Sequence, residues 1–509
     1  MKHKFQVVVA LAIVAVMAFT SMAPAFAQDS VDDMPGGGWW TGTQVQNVGT
    51  TGATLTVTSY DMDASVSPVS TSPISLAKDA STTLLPADLN TADDFQGSAT
   101  ISSDQPLRAI VNTTNLLSSP NYGVSGGLAA AQYQGVNNPD TEVNFPLAKN
   151  SFYGKSTTFY VQNAGTNATT FQADFIFIGG NCSITTPTVQ PNRMTVISAA
   201  ANSSCPSGNN GLGSLKVTSS EPMAGVVMEH GSEVPAVQLQ STRGFAPSDA
   251  DTAVYAPIIK SEYGNRFTGL QIQNATTGPV DVTVTYKGIY SQNGAATNCA
   301  GTSYTSSKSG LASNESVTFV HLTSDSTNPL PAGCLASATV SATGNVVAIV
   351  NESFVKSFLD NGGNGGRQEA TTYAAFAGNS GTAKISAPLF KENSYKKGTG
   401  LQVQNVGSAN ASSVVATFIQ SGSGTSYVTN PISIAAGAAY TFLDVRNQAA
   451  SFWNGTAMPS SVSDSSGVFA VVVTADQPVV AIANETTYPI GRSEKQQDKN
   501  NYEGFNLTP

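Results

Sequence analysis

Leu401-Gln402-Val403-Gln404-Asn405-Val406-Gly407 decides how this chain is read, because near copies of it occur three more times. They are Thr43-Gln44-Val45-Gln46-Asn47-Val48-Gly49, Phe159-Tyr160-Val161-Gln162-Asn163-Ala164-Gly165 and Leu270-Gln271-Ile272-Gln273-Asn274. Apolar and polar side chains alternate in each, the period of a strand that buries one face and wets the other. The asparagine, with a glycine close by, supplies the left-handed backbone of a tight turn. A second alternating run follows each turn, at Ala53-Thr54-Leu55-Thr56-Val57-Thr58, 171–178, Val280-Asp281-Val282-Thr283-Val284-Thr285-Tyr286 and 414–419. Each copy therefore opens with a β-hairpin.

The asparagines Asn47, Asn163, Asn274 and Asn405 lie 116, 111 and 131 residues apart, a spacing of duplicated domains and not of a solenoid. Three copies are preceded by a strand with proline near its centre, Phe145-Pro146-Leu147-Ala148-Lys149, Ala256-Pro257-Ile258-Ile259-Lys260 and Ala387-Pro388-Leu389-Phe390-Lys391. Proline removes a ladder donor, so these read as edge strands or strand starts. Later in each copy come a strand, a turn such as Ser103-Asp104-Gln105-Pro106 or Ser219-Ser220-Glu221-Pro222, and an apolar strand whose continuous hydrophobicity belongs mid-sheet. Each copy closes on an aromatic-small strand: Ala131-Gln132-Tyr133-Gln134-Gly135, Arg243-Gly244-Phe245, Tyr373-Ala374-Ala375-Phe376 and Tyr502-Glu503-Gly504-Phe505. About seven short strands in roughly 110 residues fit a two-sheet sandwich. We expect an all-β chain of four sandwich repeats, at residues 28–140, 141–251, 252–382 and 383–509.

Residues 1–27 read as a secretory signal peptide, with Lys2 and Lys4 ahead of an apolar run and the small-residue exit Ala25-Phe26-Ala27. Its removal leaves 21 basic residues against 33 acidic ones, a balance that argues against a nucleic-acid partner. No second apolar run reaches the ~20 residues of a transmembrane helix. We expect a secreted protein, outside the cell or on its surface. Only 11 per cent of residues are charged, well under the ~25 per cent of ordinary domains. The four cysteines fall at equivalent places in two repeats, which selects Cys182 with Cys205 and Cys299 with Cys334 from the three possible connectivities. No spacing among them suits zinc.

Catalytic chemistry has little to stand on. His230 and His321 sit in different repeats, and no serine elbow or zinc-binding helix motif occurs. Glu229-His230, at the end of an apolar strand, reads as a polar strand end. Asp32-Asp33, Asp93-Asp94 and Asp249 with Asp251 lack the spacing of a calcium loop. We read the chain as non-enzymatic, with no metal or cofactor site. Trp39, Trp40 and Trp453 are candidate platforms for sugar rings, since an aromatic face meets the apolar face of a pyranose. Trp39 and Trp40 also stand where the other copies have Phe152-Tyr153, Glu262-Tyr263 and Ser394-Tyr395, ahead of the expected hairpin, which favours packing.

The repeat resembles the immunoglobulin-like and fibronectin III-like sandwiches that occur in tandem in secreted bacterial surface proteins, such as adhesin stalks and matrix components. That resemblance rests on strand order and repeat layout. It implies a structural or adhesive protein, a rod of four modules acting on cell-surface or matrix components or on itself. The alternative is an extracellular polysaccharide-binding protein. One asymmetry bears on self-association: the first repeat has Met34-Pro35 and glycines where the others have a full proline-centred strand. An incomplete sheet exposes backbone groups that another chain can satisfy by strand addition.

Overall fold

The computed structural model describes residues 39–507, apart from 79, 93–94, 116–129, 232–238, 290–296, 355–369, 395–396, 422, 461–466 and 488–499. The expected signal peptide, Met34-Pro35, Asp32-Asp33 and Asp93-Asp94 lie outside the described residues. Within them the chain is almost entirely β, in several antiparallel sheets, and helix is limited to 3-10 turns of three or four residues.

The second repeat shows the plan. A lead strand, Asp140–Lys149, is followed by a glutamine strand, Lys155–Asn163, and a return strand, Gln172–Phe177. A long strand, Leu212–Gly231, then joins both layers, and an axial strand, Leu239–Arg243, ends the unit. The first half of the long strand pairs with the lead and return strands, the second half with the glutamine and axial strands. Side chains from both halves meet in one core, where Phe145 and Phe175 lie edge-on to Phe159 at 5.0 and 5.9 Å.

Two strands and a turn were expected where the long strand runs. The stretch Ser219-Ser220-Glu221-Pro222 is instead a bend, a register shift between Thr218 and Met223, that passes the chain from one layer to the other without breaking it. The third and fourth repeats do the same over Cys334–Phe354 and Val468–Thr487. In the first repeat the halves stay separate, as Gly97–Ser103 and Leu107–Asn115.

The turn asparagine acts differently from the sequence expectation. None of Asn47, Asn163, Asn274 and Asn405 has left-handed backbone, and all four are fully buried. In the second repeat Asn163 Oδ1 accepts the Gly165 N–H at 2.9 Å, while Nδ2 donates to Asn167 O at 2.8 Å and across to Val189 O at 3.0 Å. The same three bonds recur at Asn47, Asn274 and Asn405. The expected β-hairpin does not form: the glutamine strand pairs with the second half of the long strand and the return strand with the first half, so the turn between them crosses from one layer to the other, and the asparagine side chain ties that turn to the neighbouring loop. Gly165 is there because of close approach: a Cβ on it would lie 2.1 Å from Glu221 Oε2.

The repeats do not extend into a rod. Each packs on the next, and the fourth returns to the first, closing a ring. Trp39, Ala131 and Tyr133 of the first meet Val226, Met228 and Leu239 of the second. Leu147 and Phe245 of the second meet Val347, Ile349 and Ala374 of the third. Ile258 of the third shares a cluster with Val480 and Ile482 of the fourth, and Ile110 of the first belongs to the core of the fourth. Closure is also polar: Gln134 Nε2 donates to Glu503 O at 2.8 Å, and Ser386 Oγ to Gln46 Oε1 at 2.9 Å.

Candidate functional site

The polar side of the glutamine strand, expected to face water, is where the repeats join. Gln46, Gln271, Gln273, Gln402 and Gln404 are each 2 per cent exposed or less. Gln271 Nε2 donates to Gly213 O at 3.2 Å, and Gln273 Nε2 to Leu215 O at 3.4 Å, both in the preceding repeat. Gln404 Nε2 reaches back to Ala338 O at 3.3 Å, and Gln402 Nε2 to Pro257 O. Meeting them from the other side, Ser98, Ser214 and Ser337 donate to the carbonyls of Asn192, Asn314 and Gly437 at 2.6, 2.5 and 2.7 Å. Those acceptors have φ near 62, 61 and 73°, so here the left-handed turns serve the seam. Neutral donors meet neutral acceptors throughout these bonds, which avoids the desolvation penalty of buried charge. At the first seam Arg193 adds a cation, its guanidinium donating to the carbonyls of Asp61, Asp63 and Val66.

The four axial strands, Ala130–Gln134, Leu239–Arg243, Ala370–Ala374 and Asn500–Glu503, surround the middle of the ring. Ser241 Oγ donates to Gln132 O at 3.0 Å, Thr372 Oγ1 to Gln240 Oε1 at 2.8 Å, and Thr371 Oγ1 to Asn501 Oδ1 at 2.7 Å. The Glu503 carboxylate accepts the Ala374 N–H, and burial raises its pKa against the opposing pull of this bond and of Arg243. Arg243 is itself held by Asp249 at 2.7 Å.

Around this axis stand three buried ion triads. Glu229 lies 2.9 Å from Lys149 and 3.2 Å from Lys155, Glu352 lies 2.9 Å from Lys260 and 3.5 Å from Arg266, and Glu485 lies 2.7 Å from Lys391 and 2.9 Å from Lys397. Burial alone would push the Glu229 and Glu485 carboxyls up, but the two lysines beside each overcome it and hold both at about 2. Each triad bolts the end of the lead strand to the glutamine strand through the long strand. In the first repeat strand register puts Thr113 at the glutamate position and Trp39 at the second cation's.

The candidate residues divide accordingly. Cys182 is bonded to Cys205 and Cys299 to Cys334, each within its own repeat. Trp453 is no sugar platform: it is 3 per cent exposed and edge-on to Phe418, Tyr427 and Phe452 at 6.0, 6.3 and 5.1 Å. Trp39 and Trp40 are half-buried in the first glutamine strand, with Trp39 in the seam to the second repeat. They correspond to Lys155 and Ser156, not to Phe152 and Tyr153. Glu229 is a triad member, while His230 Nε2 meets Thr158 Oγ1 at 3.1 Å. His321, whose pKa burial lowers to about 4, lies edge-on to Tyr286 and bonds Thr268. Asp249 is engaged by Arg243, and Asp251 Oδ1 accepts the Ala253 N–H. Among the described residues no three His, Cys, Asp or Glu side chains gather as a metal site would need. The sequence reading missed the seam glutamines and the triads, although the lysine ending each proline strand and the glutamate after the apolar run recur visibly.

No family model matches this chain, and no curated protein matches it. Among solved structures, the crystal structure of Thermotoga maritima 1070 aligns at 15% identity over 21% of this chain and 95% of its own, with a TM-score of 0.19. A tetra-tandem repeat from the extending region of a large adhesion protein aligns at 11% identity over 94% of this chain and 98% of its own, with a TM-score of 0.11. Both likenesses are too distant to define fold or function. The two disulfides are compatible with an extracellular protein, and no helix among the described residues is long and apolar enough to cross a membrane.

Proposed function

We propose that this chain is a non-enzymatic, secreted structural or adhesive protein, whose four immunoglobulin-like sandwich repeats act as one preassembled ring. On this reading the leader at 1–27 is removed on export, and the mature protein works at the cell surface or in the surrounding matrix. The observation that carries it is the arrangement at the axis. The axial strands pair with the long strands in equivalent register, so the four long or apolar strands all end, and the four axial strands all begin, at one end of the ring. The sequences between those strand ends, 116–129, 232–238, 355–369 and 488–499, differ in length and composition, with a glycine tract at 361–366 and a polar run at 493–501. A fixed framework whose strand ends carry such divergent sequences to one end suits a composite binding face.

The test is to replace the four connections with glycine-serine linkers, singly and together, and to measure retention of the purified protein on the producing cells' envelope and matrix. The reading predicts that retention falls by about tenfold or more while the melting temperature holds. Unchanged retention with all four replaced would contradict it.

A further inference from the structure

The lead strand has a slot in every repeat, and among the described residues three of the four slots are filled. Asp140–Lys149, Asp251–Ser261 and Thr382–Lys391 each pair with the first half of a long strand. In the first repeat the corresponding strand, Gly97–Ser103, pairs with Ala53–Asp61, and its other edge has no strand partner among the described residues. None of its seven residues is buried, whereas Leu215, Val217, Ala338, Val340, Val471 and Val473 at matching places are fully buried. The edge has no proline, lysine or bulge to discourage pairing.

The slot also keeps its fittings. In the third repeat Tyr373 Oη donates to Ile258 O at 2.8 Å and accepts the Ile258 N–H at 3.0 Å, grasping the residue after Pro257 by its backbone. Tyr502 grasps Leu389, after Pro388, in the same way. Register places Tyr133 at this position in the first repeat, and its hydroxyl makes no hydrogen bond among the described residues. Burial raises its pKa to about 12, so it remains a donor. The far wall of the slot, where Leu147 meets Val347 and Ile349 in the second seam, is built in the first seam by Val226, Tyr160 and Trp39, all partly exposed.

The chain's own N-terminal residues suit this slot poorly. Counting back from the turn asparagine puts Val31 where Leu147, Ile258 and Leu389 stand. It also puts Asp32 at the place of Ala148, Ile259 and Phe390, and Asp29 at that of Phe145, Ala256 and Ala387, every one of which is 1 per cent exposed or less. Seating that segment would bury two carboxylates. A second copy has no spare strand of this kind, because its three are seated in their own repeats.

We propose that the open edge of Gly97–Ser103, with Tyr133 as backbone clasp, accepts an extended, proline-centred apolar strand from a different protein. The three filled slots display the chemistry that fits. One feature differs: Thr113, whose buried hydroxyl has no partner, replaces the glutamate that receives a lysine elsewhere, so the incoming strand ends without a cation. This partner site is separate from the loop-bearing end and stands whether or not that end binds.

A fluorescent peptide of residues 251–261 with Lys260 replaced by Thr, titrated against the mature chain, tests the proposal by polarisation. Saturable binding is expected, weakened about tenfold by Tyr133→Phe, which should melt as wild type, with Tyr373→Phe as the control that leaves binding unchanged although the loss of its own clasp on Ile258 lowers its melting temperature. A peptide scrambled in order should not bind. Three results would overturn the proposal: no binding to the intact chain; binding that emerges only after residues 28–38 are deleted, which places the chain's own segment in the slot; or a dimer by light scattering that the peptide dissociates, which makes the occupant a second copy.

Discussion

At the scale of single residues, the buried triads set how this protein responds to acid. Glu229 and Glu485 titrate at about 2 in the fold against 4.5 when free, so the unfolded chain binds more protons in that window. Their contribution is complete above about pH 4.5 and is lost as pH falls toward 2. Glu503 has the opposite sign, since burial raises its pKa and its ionisation opposes folding as pH rises. Glu485→Gln is expected to destabilise the protein at pH 7 by about 3 kcal/mol, because Lys391 and Lys397 lose their shared anion. The same variant should show a flatter dependence of melting temperature on pH between 4.5 and 2. Wild-type and variant curves that run parallel through that window would show that the triad carries no linkage. The participants were legible in part: the two basic residues stand 14 and 8 positions before the asparagine in all three repeats, whereas the glutamate follows it by 66, 78 and 80 residues. Their meeting was not, because it depends on three strands of one repeat converging.

At the scale of elements, the two strands on either side of the asparagine were read correctly, but their pairing as a hairpin and the asparagine's role were not, because the strands pair with different halves of the long strand and lie in different layers. Alternation of apolar and polar residues is a property of one strand and survives in the fold, so the glutamine and return strands were visible in the sequence. Whether an asparagine bends its own backbone or bonds two distant loops depends on burial, which alternation does not report. Asn274→Ala tests the second role. Removing the side chain takes its donor from the carbonyls of Leu311 and Ala312, and each such loss costs about 1–3 kcal/mol. We expect the urea midpoint of the third repeat to fall accordingly, with a Gly substitution as damaging as Ala. A Gly variant that restored stability would mean that backbone freedom was the need after all. The bend at Glu221-Pro222 teaches a related lesson, for proline and serine mark a departure from regular pairing equally well in a turn or in a strand that changes layers.

At the scale of the whole molecule, the repeat count was legible and the assembly was not. Duplication shows in the spacing of four asparagines, but a chain of sandwiches can be strung out or closed. The choice lies in surfaces such as Gln273 against Leu215 O and Ser241 against Gln132 O, whose side chains look like ordinary wet polar residues until a neighbour covers them. The low charge of the chain fits this account, because seams built from amides and hydroxyls leave few positions where a charge could be tolerated. Small-angle X-ray scattering of the mature chain is the most direct test of ring closure. A compact body of this length has a radius of gyration of about 23 Å. Four sandwiches in line would reach roughly 150 Å and give about 40 Å. The ring predicts the smaller value, unchanged by moderate salt because the seams are mostly neutral, and a measured radius near the larger one would contradict it.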